Sequence, residues 1–129
     1  MKRILVVDDD DDVLETTQLI LEIAGYDVEP LNDAELIFDR IEEFEPNLII
    51  LDIVLGKIDG RVICGQIKCH QDTKDIPVLM MSGLYDIQEV QEMECAPDDF
   101  MSKPFKMDVL LEKIEKLVNK KKPVRYDIN

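Results

Sequence analysis

Several features that define other protein classes are scarce in this sequence. The 129 residues include no tryptophan, one histidine and three cysteines, and only 5% of them are aromatic. Apolar runs are short: residues 48–51 and 53–55 are separated by Asp52, whereas a membrane span needs about 20 apolar residues. At the N-terminus only residues 4–7 lie between a basic pair and five aspartates, too few for a secretory signal. We therefore predict a cytoplasmic protein that is neither exported nor inserted in a membrane.

The cysteines lack the spacing that is typical of a metal site or a disulfide framework. Cys64, Cys69 and Cys95 are odd in number and contain no Cys-x-x-Cys pair. Structural zinc sites use four Cys or His ligands, usually in closely spaced pairs, and disulfide frameworks are typical of small secreted domains. We therefore expect all three thiols to be reduced.

Positive charge is also in the minority. The chain has 15 Lys and Arg residues against 29 Asp and Glu residues, a net charge of -14 at pH 7. Such a surface repels nucleic-acid phosphates and anionic lipid headgroups, so we expect no direct nucleic-acid partner and no membrane partner. With 46% hydrophobic residues, the chain has the composition and length of one globular domain.

Short apolar runs alternate with longer segments of helical period along the chain. The predicted strands are residues 4–7, 26–31, 48–51, 77–81 and 100–102. The helices that follow them are marked by apolar and small residues at helical spacing, of which Ile37, Phe38 and Ile41 are predicted to form the inward stripe of the second helix. The residues that mark the other helices are Val13, Leu14, Thr17, Leu21 and Ala24; Ile63, Cys64 and Ile67; Ile87, Val90 and Met93; and Leu110, Ile114, Leu117 and Val118. This alternation predicts an α/β fold with a five-stranded parallel sheet in (βα)5 doubly wound, flavodoxin-like topology and helices on both faces.

The ends of these elements also carry signals. Gly25 is expected to stop the first helix, and Asn32 with Glu35 three residues later resembles a capping box that opens the second. The second helix should end before Pro46. Residues 1–119 are predicted to form the domain, and residues 120–129 a C-terminal tail.

Polar residues follow four of the five predicted strands. Asp8 and Asp9 come after the first strand, Asp52 after the third, Ser82 after the fourth and Lys103 after the fifth. Parallel strands end at one edge of the sheet, where such folds bind ligands, so these side chains should meet there.

Three carboxylates and one ammonium at this edge would leave a formal charge of about -2, which favours a bound divalent cation. Oxygen ligands suit Mg²⁺, which could hold a phosphoryl group at the site. Asp52 could then act as the nucleophile, with Lys103 and the Ser82 hydroxyl binding the oxygens of the transferred group.

Four segments carry these residues: residues 4–9 (ILVVDD), 48–52 (LIILD) with Asp59-Gly60 after it, 77–82 (PVLMMS) and 99–105 (DFMSKPF). Together they resemble the receiver domain of the response regulators of bacterial two-component signalling. The resemblance extends over nearly all of the chain, from about Lys2 to Asn119. It implies a signalling switch that accepts a phosphoryl group from a sensor histidine kinase or a histidine phosphotransfer protein. Such a protein is not an enzyme in the usual sense, because it catalyses only its own phosphorylation and dephosphorylation.

The resemblance also implies a role for each matching residue. Asp52 would be the phosphoacceptor, and Ser82 and Phe100 the switch residues that change the output surface for a downstream protein partner. That surface would comprise the fourth helix, the last strand and the last helix. Lys103 would contact the phosphoryl group, with a cis peptide bond to Pro104. The implied Mg²⁺ ligands are Asp9, Asp52, the backbone carbonyl of Val54 and, through water, Asp8.

Three positions depart from the family pattern. Gly56 replaces a common proline, which predicts a more mobile loop after the phosphoacceptor. Gly83 replaces a small residue that is usually alanine. The segment 95–97, Cys-Ala-Pro, replaces the usual Gly-Ala before the last strand. None of these changes removes a reactive group.

Other functions fit the sequence less well. A small aspartyl-phosphate phosphohydrolase would need a second aspartate two residues after the nucleophile, where Val54 stands. A flavin binder of the same topology would need a phosphate-binding loop, and five aspartates would repel that phosphate. A degenerate receiver that serves only as an interaction surface is not indicated, since every reactive group is present. The single histidine, His70, lies in a polar segment and is read as a solvated loop residue without a role.

The residues flanking the phosphoacceptor also bear on how long phosphorylation lasts. The resemblance puts the side chains of Val54 and Leu84 beside the path of the hydrolytic water. Neither can orient a water molecule, so we expect a phosphorylated state that persists for many minutes or longer.

Overall fold

Five parallel strands form the central sheet of the protein. In a computed structural model that describes residues 1–83 and 92–119, the elements are β1 (Arg3–Val7), α1 (Asp11–Ile23), β2 (Asp27–Leu31), a 3-10 turn (Ala34–Leu36), α2 (Ile37–Phe44), β3 (Leu48–Asp52), β4 (Val54–Leu55), β5 (Ile58–Asp59), α3 (Gly60–Cys69), β6 (Val78–Ser82), β7 (Asp99–Ser102) and α4 (Met107–Val118). The order in the sheet is β2-β1-β3-β6-β7, and every neighbouring pair is parallel. The predicted fold class is therefore confirmed.

The central strands are apolar because helices cover both faces of the sheet. Successive residues of β1 enter different cores: Leu5 and Val7 join the cluster that contains residues of α2 and α3. Ile4 and Val6 join the cluster that contains residues of α1 and α4. All five residues of β3 and of β6 are buried, as expected for strands covered on both faces.

Helix α2 differs from its prediction at its start and on its inner face. Asn32 does not cap it: Asp33 caps the preceding 3-10 turn by accepting the Glu35 N–H, and the Asn32 amide donates to Asp11. Ile37 and Ile41 are buried as predicted, but Phe38 is 41% exposed. Successive residues of an α-helix are rotated by about 100°, so the Phe38 side chain lies beside the buried stripe that Ile37 and Ile41 form. The half-buried third member of that stripe is Phe44.

Two predictions fall partly or wholly on residues that the structure does not describe. Ile87 and Val90 of the predicted fourth helix lie outside the described residues, as does the predicted tail at 120–129. Met93 is described, half-buried and packed against the core that contains α2 and α3. Within the described residues, no helix has the length and apolar character required to cross a bilayer.

The prediction of three reduced thiols is wrong for two of them. Cys69, the last residue of α3, forms a disulfide with Cys95, and their Cα atoms are 5.6 Å apart. The two residues are 26 positions apart in the sequence, so only the packing of α3 beside the segment before β7 brings them together. Cys64 remains a buried free thiol, and burial raises its pKa to about 12.

Candidate functional site

The polar residues predicted for the sheet edge do lie at the carboxyl ends of neighbouring strands. The register pairs Val7 of β1 with Leu51 of β3, and Ser82 of β6 with Ser102 of β7. Asp8 and Asp52 therefore follow paired residues on adjacent strands, and Lys103 follows β7 directly. Since all four strands are parallel, the turns after them open on the same side of the molecule.

Lys103 joins the two buried carboxylates of this edge. Its Nζ donates to Asp8 Oδ2 at 2.7 Å and to Asp52 Oδ2 at 2.7 Å. The side chains of Asp8 and Asp52 are only 6% and 10% exposed, and that of Lys103 is 23% exposed. Short hydrogen bonds between charged groups in such surroundings are stronger than neutral ones. The three side chains thus form one fixed, charged unit.

Burial and the neighbouring charges shift the pKa values of Asp8 and Lys103 in opposite directions. Burial raises the pKa of Asp8, and the hydrogen bond from Lys103 only partly offsets this effect. Burial alone would lower the pKa of Lys103, but its hydrogen bonds to Asp52 and Asp8 outweigh burial, so that its pKa is raised. Lys103 is therefore an ammonium at neutral pH.

A third carboxylate completes a group with the character of a cation site. Asp8, Asp9 and Asp52 each offer an oxygen atom, and these atoms lie within 4.8 Å of one another. Asp9 is exposed, so the group faces solvent on one side. With one ammonium against three carboxylates the formal charge is about -2, and all candidate ligands are oxygen, so these residues fit Mg²⁺.

The loop after Asp52 forms a small hairpin that orients two of these carboxylates. Strands β4 and β5 pair in antiparallel fashion. The Val54 N–H donates to Asp52 Oδ1 at 3.2 Å, and the Gly56 N–H donates to Asp9 Oδ2 at 2.9 Å. Gly56 has φ +64°, a left-handed conformation that favours glycine. The structure shows a hairpin whose main chain contacts Asp9, a contact that proline could not make because it lacks an N–H. The mobility predicted for this loop stays a prediction.

Gly60 allows α3 to begin directly against the main chain of Asp52. A Cβ atom at this position would overlap the carbonyl oxygen of Asp52. The Gly60 N–H also donates to the Ile53 carbonyl at 2.6 Å, and Asp59 caps the helix by accepting the Arg61 N–H. The sequence shows the Asp-Gly pair, but only the packing shows that Gly60 lets α3 approach the main chain of Asp52.

The remaining predicted residues lie on β6, β7 and the turn after β7. Ser82 is 2% exposed, and its carbonyl accepts the Lys103 N–H at 3.1 Å. A Cβ on Gly83 would come within 3.3 Å of the Lys103 carbonyl, so a small residue fits there. Phe100 is already packed inward, 5% exposed in the core that contains α2 and α3. The peptide bond between Lys103 and Pro104 is cis.

A groove of about 520 Å³ borders the site on the side of α1. It lies between this helix and the turn after β7, beside the Lys103 side chain. Its lining residues are Asp12, Val13, Thr16, Thr17, Lys103, Pro104 and Phe105.

Two other residues named in the sequence analysis do not contribute to this description of the site. Leu84, predicted to flank the site, lies outside the described residues. The side chain of His70, to which no role is given, is 61% exposed.

Comparison with known proteins gives a consistent result. Residues 4–115 match the family model of the response regulator receiver domain. The chain is 36% identical over 121 residues to the DNA-binding dual master transcriptional regulator RpaA of Synechocystis sp., covering 93% of this chain and 50% of that protein. It is 34% identical over 122 residues to the response regulator MprA of Mycobacterium avium, covering 94% of this chain and 53% of that protein. The chain thus spans about half the length of these curated relatives.

Solved structures agree with the sequence relatives. The receiver domain of a signal transduction histidine kinase from Syntrophus aciditrophicus superposes with a TM-score of 0.83 at 29% identity, covering 99% of this chain and 100% of that one. A CheY-like response regulator receiver domain protein from Methanospirillum hungatei gives a TM-score of 0.82 at 32% identity, covering 92% and 94% of the two chains.

Proposed function

Because the chain belongs to the response regulator receiver domain family, whose members act in phosphorylation-based signalling, we propose that Asp52 accepts a phosphoryl group in a Mg²⁺-dependent reaction. One observation carries this proposal: the Lys103 ammonium bridges the buried carboxylates of Asp8 and Asp52. We assign the receiver domain to residues 1–119 and a tail to residues 120–129. The chain is not a conventional enzyme, and the only reactions that we propose for it are its own phosphorylation and dephosphorylation.

In the proposed reaction, a carboxylate oxygen of Asp52 attacks the phosphorus of the donor. A P–O bond to Asp52 forms as the bond between phosphorus and the donor's leaving group breaks. Lys103 and the Ser82 hydroxyl stabilise charge on the phosphoryl oxygens. Mg²⁺, held by Asp9, Asp52, the carbonyl of Val54 and, through water, Asp8, would neutralise the negative charge that donor and site bring together.

Intact mass spectrometry tests this function with a small phosphodonor. The full chain, incubated with acetyl phosphate and Mg²⁺, should gain one phosphoryl group, and Asp52→Asn should gain none. Asp59→Asn removes the next carboxylate along the chain and can still cap α3, so it should be labelled like the wild type. Equal labelling of wild type and Asp52→Asn would overturn the proposal.

We further propose that phosphorylation shifts the protein between two packings, coupled through Ser82 and Phe100. Ser82 is buried beside the turn that carries Lys103, and the inward packing of Phe100 gives one of the two states. The Ser82→Ala variant should still accept phosphate at Asp52 but show smaller NMR shift changes around Phe100. Identical shift changes in wild type and variant would contradict the coupling.

The expected donor is a sensor histidine kinase or a histidine phosphotransfer protein, and the output is read by a downstream protein partner. An apolar stripe on α1 supports contact with such a donor: Leu19 and Ile23 are 61% and 79% exposed and lie one helical turn apart. Thr16 on the same helix lines the groove beside Lys103. The strong net negative charge supports a protein partner over nucleic acid or a membrane, and we expect a cytoplasmic location.

A pair of matched variants separates donor contact from chemistry. Leu19→Asp should slow phosphotransfer from a phosphohistidine-bearing phosphotransfer domain by about tenfold, but leave labelling by acetyl phosphate unchanged. Val62→Asp changes a similarly exposed residue, 59%, on α3 and should affect neither reaction. Equal slowing by both variants would refute a specific role for α1.

A further inference from the structure

The Cys69–Cys95 disulfide joins two segments that both lead to the phosphorylation site. Cys69 ends α3, the helix whose first residue, Gly60, packs against the main chain of Asp52. Cys95 lies four residues before β7, the strand that carries Phe100 and leads to Lys103. The cross-link therefore fixes the distance between the C-terminal end of α3 and the segment that precedes β7.

A network of non-covalent bonds already aligns these segments. Lys68, the neighbour of Cys69, donates from Nζ to Asp98 Oδ2 at 2.7 Å. Asp98 Oδ2 also accepts the Val78 N–H at 2.8 Å, and the Asp98 N–H donates to the Val78 carbonyl at 3.0 Å. The Lys68 and Asp98 side chains are only 12% and 18% exposed. This network does not depend on the disulfide, so it should keep the two sulfurs near each other when they are reduced.

We propose that Cys69 and Cys95 form a reversible oxidation site, which in its oxidised state fastens the segment before β7 to α3 and limits the response of this region to phosphorylation. The proposal rests on the proposed function in one respect: in the expected cytoplasmic location, disulfides are mostly transient and regulatory. Cys69 is exposed and Cys95 half-buried, so oxidants and reductants can reach the pair. The third cysteine cannot readily take part, because Cys64 is completely buried.

Hydrogen peroxide is the proposed oxidant for formation of the Cys69–Cys95 disulfide. One thiolate attacks a peroxide oxygen, the O–O bond breaks, and a sulfenic acid and water result after proton transfer. The second thiolate attacks the sulfenic sulfur, the S–S bond forms as the S–O bond breaks, and the departing hydroxide takes a proton from solvent and leaves as a second water. Two electrons pass from the sulfurs to the peroxide, and a dithiol returns them when it reduces the bond by thiol–disulfide exchange.

Thiol counting tests the chemistry on the full chain. Reduced protein, alkylated under denaturing conditions, should take up three labels, and protein treated with limited peroxide only one, on Cys64. Peptide mapping should locate the cross-link at Cys69 and Cys95. Cys64→Ala should still form it, and Cys69→Ser should not. Three labels after oxidation, or a cross-link between two chains in place of the internal one, would overturn the proposal.

Three further measurements address the alignment of the cysteines, the stability that the cross-link adds and its effect on signalling. Lys68→Met should slow cross-link formation several-fold, whereas the exposed Lys116→Met should not. Reduction should lower the Tm of the wild type by roughly 10 °C, and leave that of Cys69→Ser unchanged. After phosphorylation with acetyl phosphate, NMR shift changes around Phe100 should be smaller in oxidised than in reduced protein, and equal changes would overturn the regulatory role.

These outcomes are separable from those of the proposed function. If the cross-link forms but neither redox state is labelled by acetyl phosphate, the phosphorylation proposal fails and the oxidation chemistry stands. If Asp52 is labelled in fully reduced protein but peroxide leaves three thiols, the oxidation site fails and the phosphorylation proposal stands.

Discussion

Two half-buried lysines, Lys68 and Lys103, each bridge different segments of the chain, and their surroundings differ in charge. Lys68 pairs with one carboxylate, Asp98, and donates to two main-chain carbonyls. Lys103 pairs with two carboxylates, Asp8 and Asp52. Asp9 offers a third carboxylate oxygen within 4.8 Å of theirs. The first cluster is balanced and the second carries excess negative charge. A balanced cluster serves to hold segments in place, whereas an unbalanced one favours a cation and an incoming group that the cation can bind.

The strongest test of this contrast removes a carboxylate from the unbalanced cluster. Asp9→Ala should nearly abolish labelling by acetyl phosphate at low Mg²⁺ and weaken Mg²⁺ binding by at least roughly 10- to 100-fold, the loss that is typical even of residues that only orient the ligands of a metal. Asp12→Ala, an exposed neighbour in the same acidic run, should retain both properties. Mg²⁺ titrations of the two variants measure the difference, and full labelling with excess chelator would contradict it.

Val54 and Leu84, which the family resemblance puts beside the path of the hydrolytic water, are predicted to govern how long the phosphorylated state lasts. The Val54→Asn, Leu84→Glu double variant can orient a water molecule, so its phosphoryl group should decay about 10- to 1000-fold faster than that of the wild type. The measurement is the loss of the phosphoryl mass in Mg²⁺ buffer after the donor is removed. Wild-type decay within seconds, or no acceleration in the variant, would show that these positions do not set the lifetime.

The balanced cluster should affect stability more than chemistry. Lys68→Met leaves Asp98 without its cation and should lower the free energy of unfolding by about 3 kcal/mol, while acetyl phosphate still labels Asp52. Lys103→Met also destabilises the fold, but added Mg²⁺ should restore part of that loss because the remaining carboxylates bind it. Urea unfolding with and without Mg²⁺ measures both effects. If Mg²⁺ restored the free energy of unfolding equally in Lys68→Met and Lys103→Met, the distinction between the two clusters would be wrong.

The smallest expected effect is on proton binding at Asp8. Burial raises its pKa, so this carboxyl favours folding below its unfolded pKa of 3.8, and this contribution is lost as the pH rises through the higher folded value. Lys103→Met removes an interaction that lowers this pKa, and the pKa should rise further. Carboxyl NMR titration in metal-free buffer follows it. A lower pKa in the variant would contradict the proposed balance of burial and charge.

The sequence predicts the sheet and its reactive edge well because both depend on local patterns. Short apolar runs specify strands that are buried on both faces, and parallel strands bring the residues that follow them to one edge. Asp8, Asp52 and Lys103 therefore meet as predicted, although 44 and 51 positions separate them along the chain. The individual contacts of Lys103 with both carboxylates require the three-dimensional structure.

Contacts that depend on how segments pack were not predictable in the same way. The Cys69–Cys95 pairing depends on the position of α3 beside the segment before β7, and cysteine spacing carries no such information. The hydrogen bond from Gly56 to Asp9 depends on a left-handed turn that the sequence suggested only as mobility. The apolar character of Phe38 predicts a place in the buried stripe, but its angular position on α2 leaves the side chain 41% exposed.

Borohydride trapping can show whether the carboxylate that pairs with Lys103 becomes a covalent acyl phosphate. Borohydride reduces an aspartyl phosphate to homoserine, which peptide mass spectrometry can locate. After treatment with acetyl phosphate and Mg²⁺, we predict homoserine at position 52 alone, and no conversion in the presence of a chelator. Conversion at another aspartate, or none at Asp52 while the protein carries the phosphoryl mass, would contradict phosphorylation of Asp52.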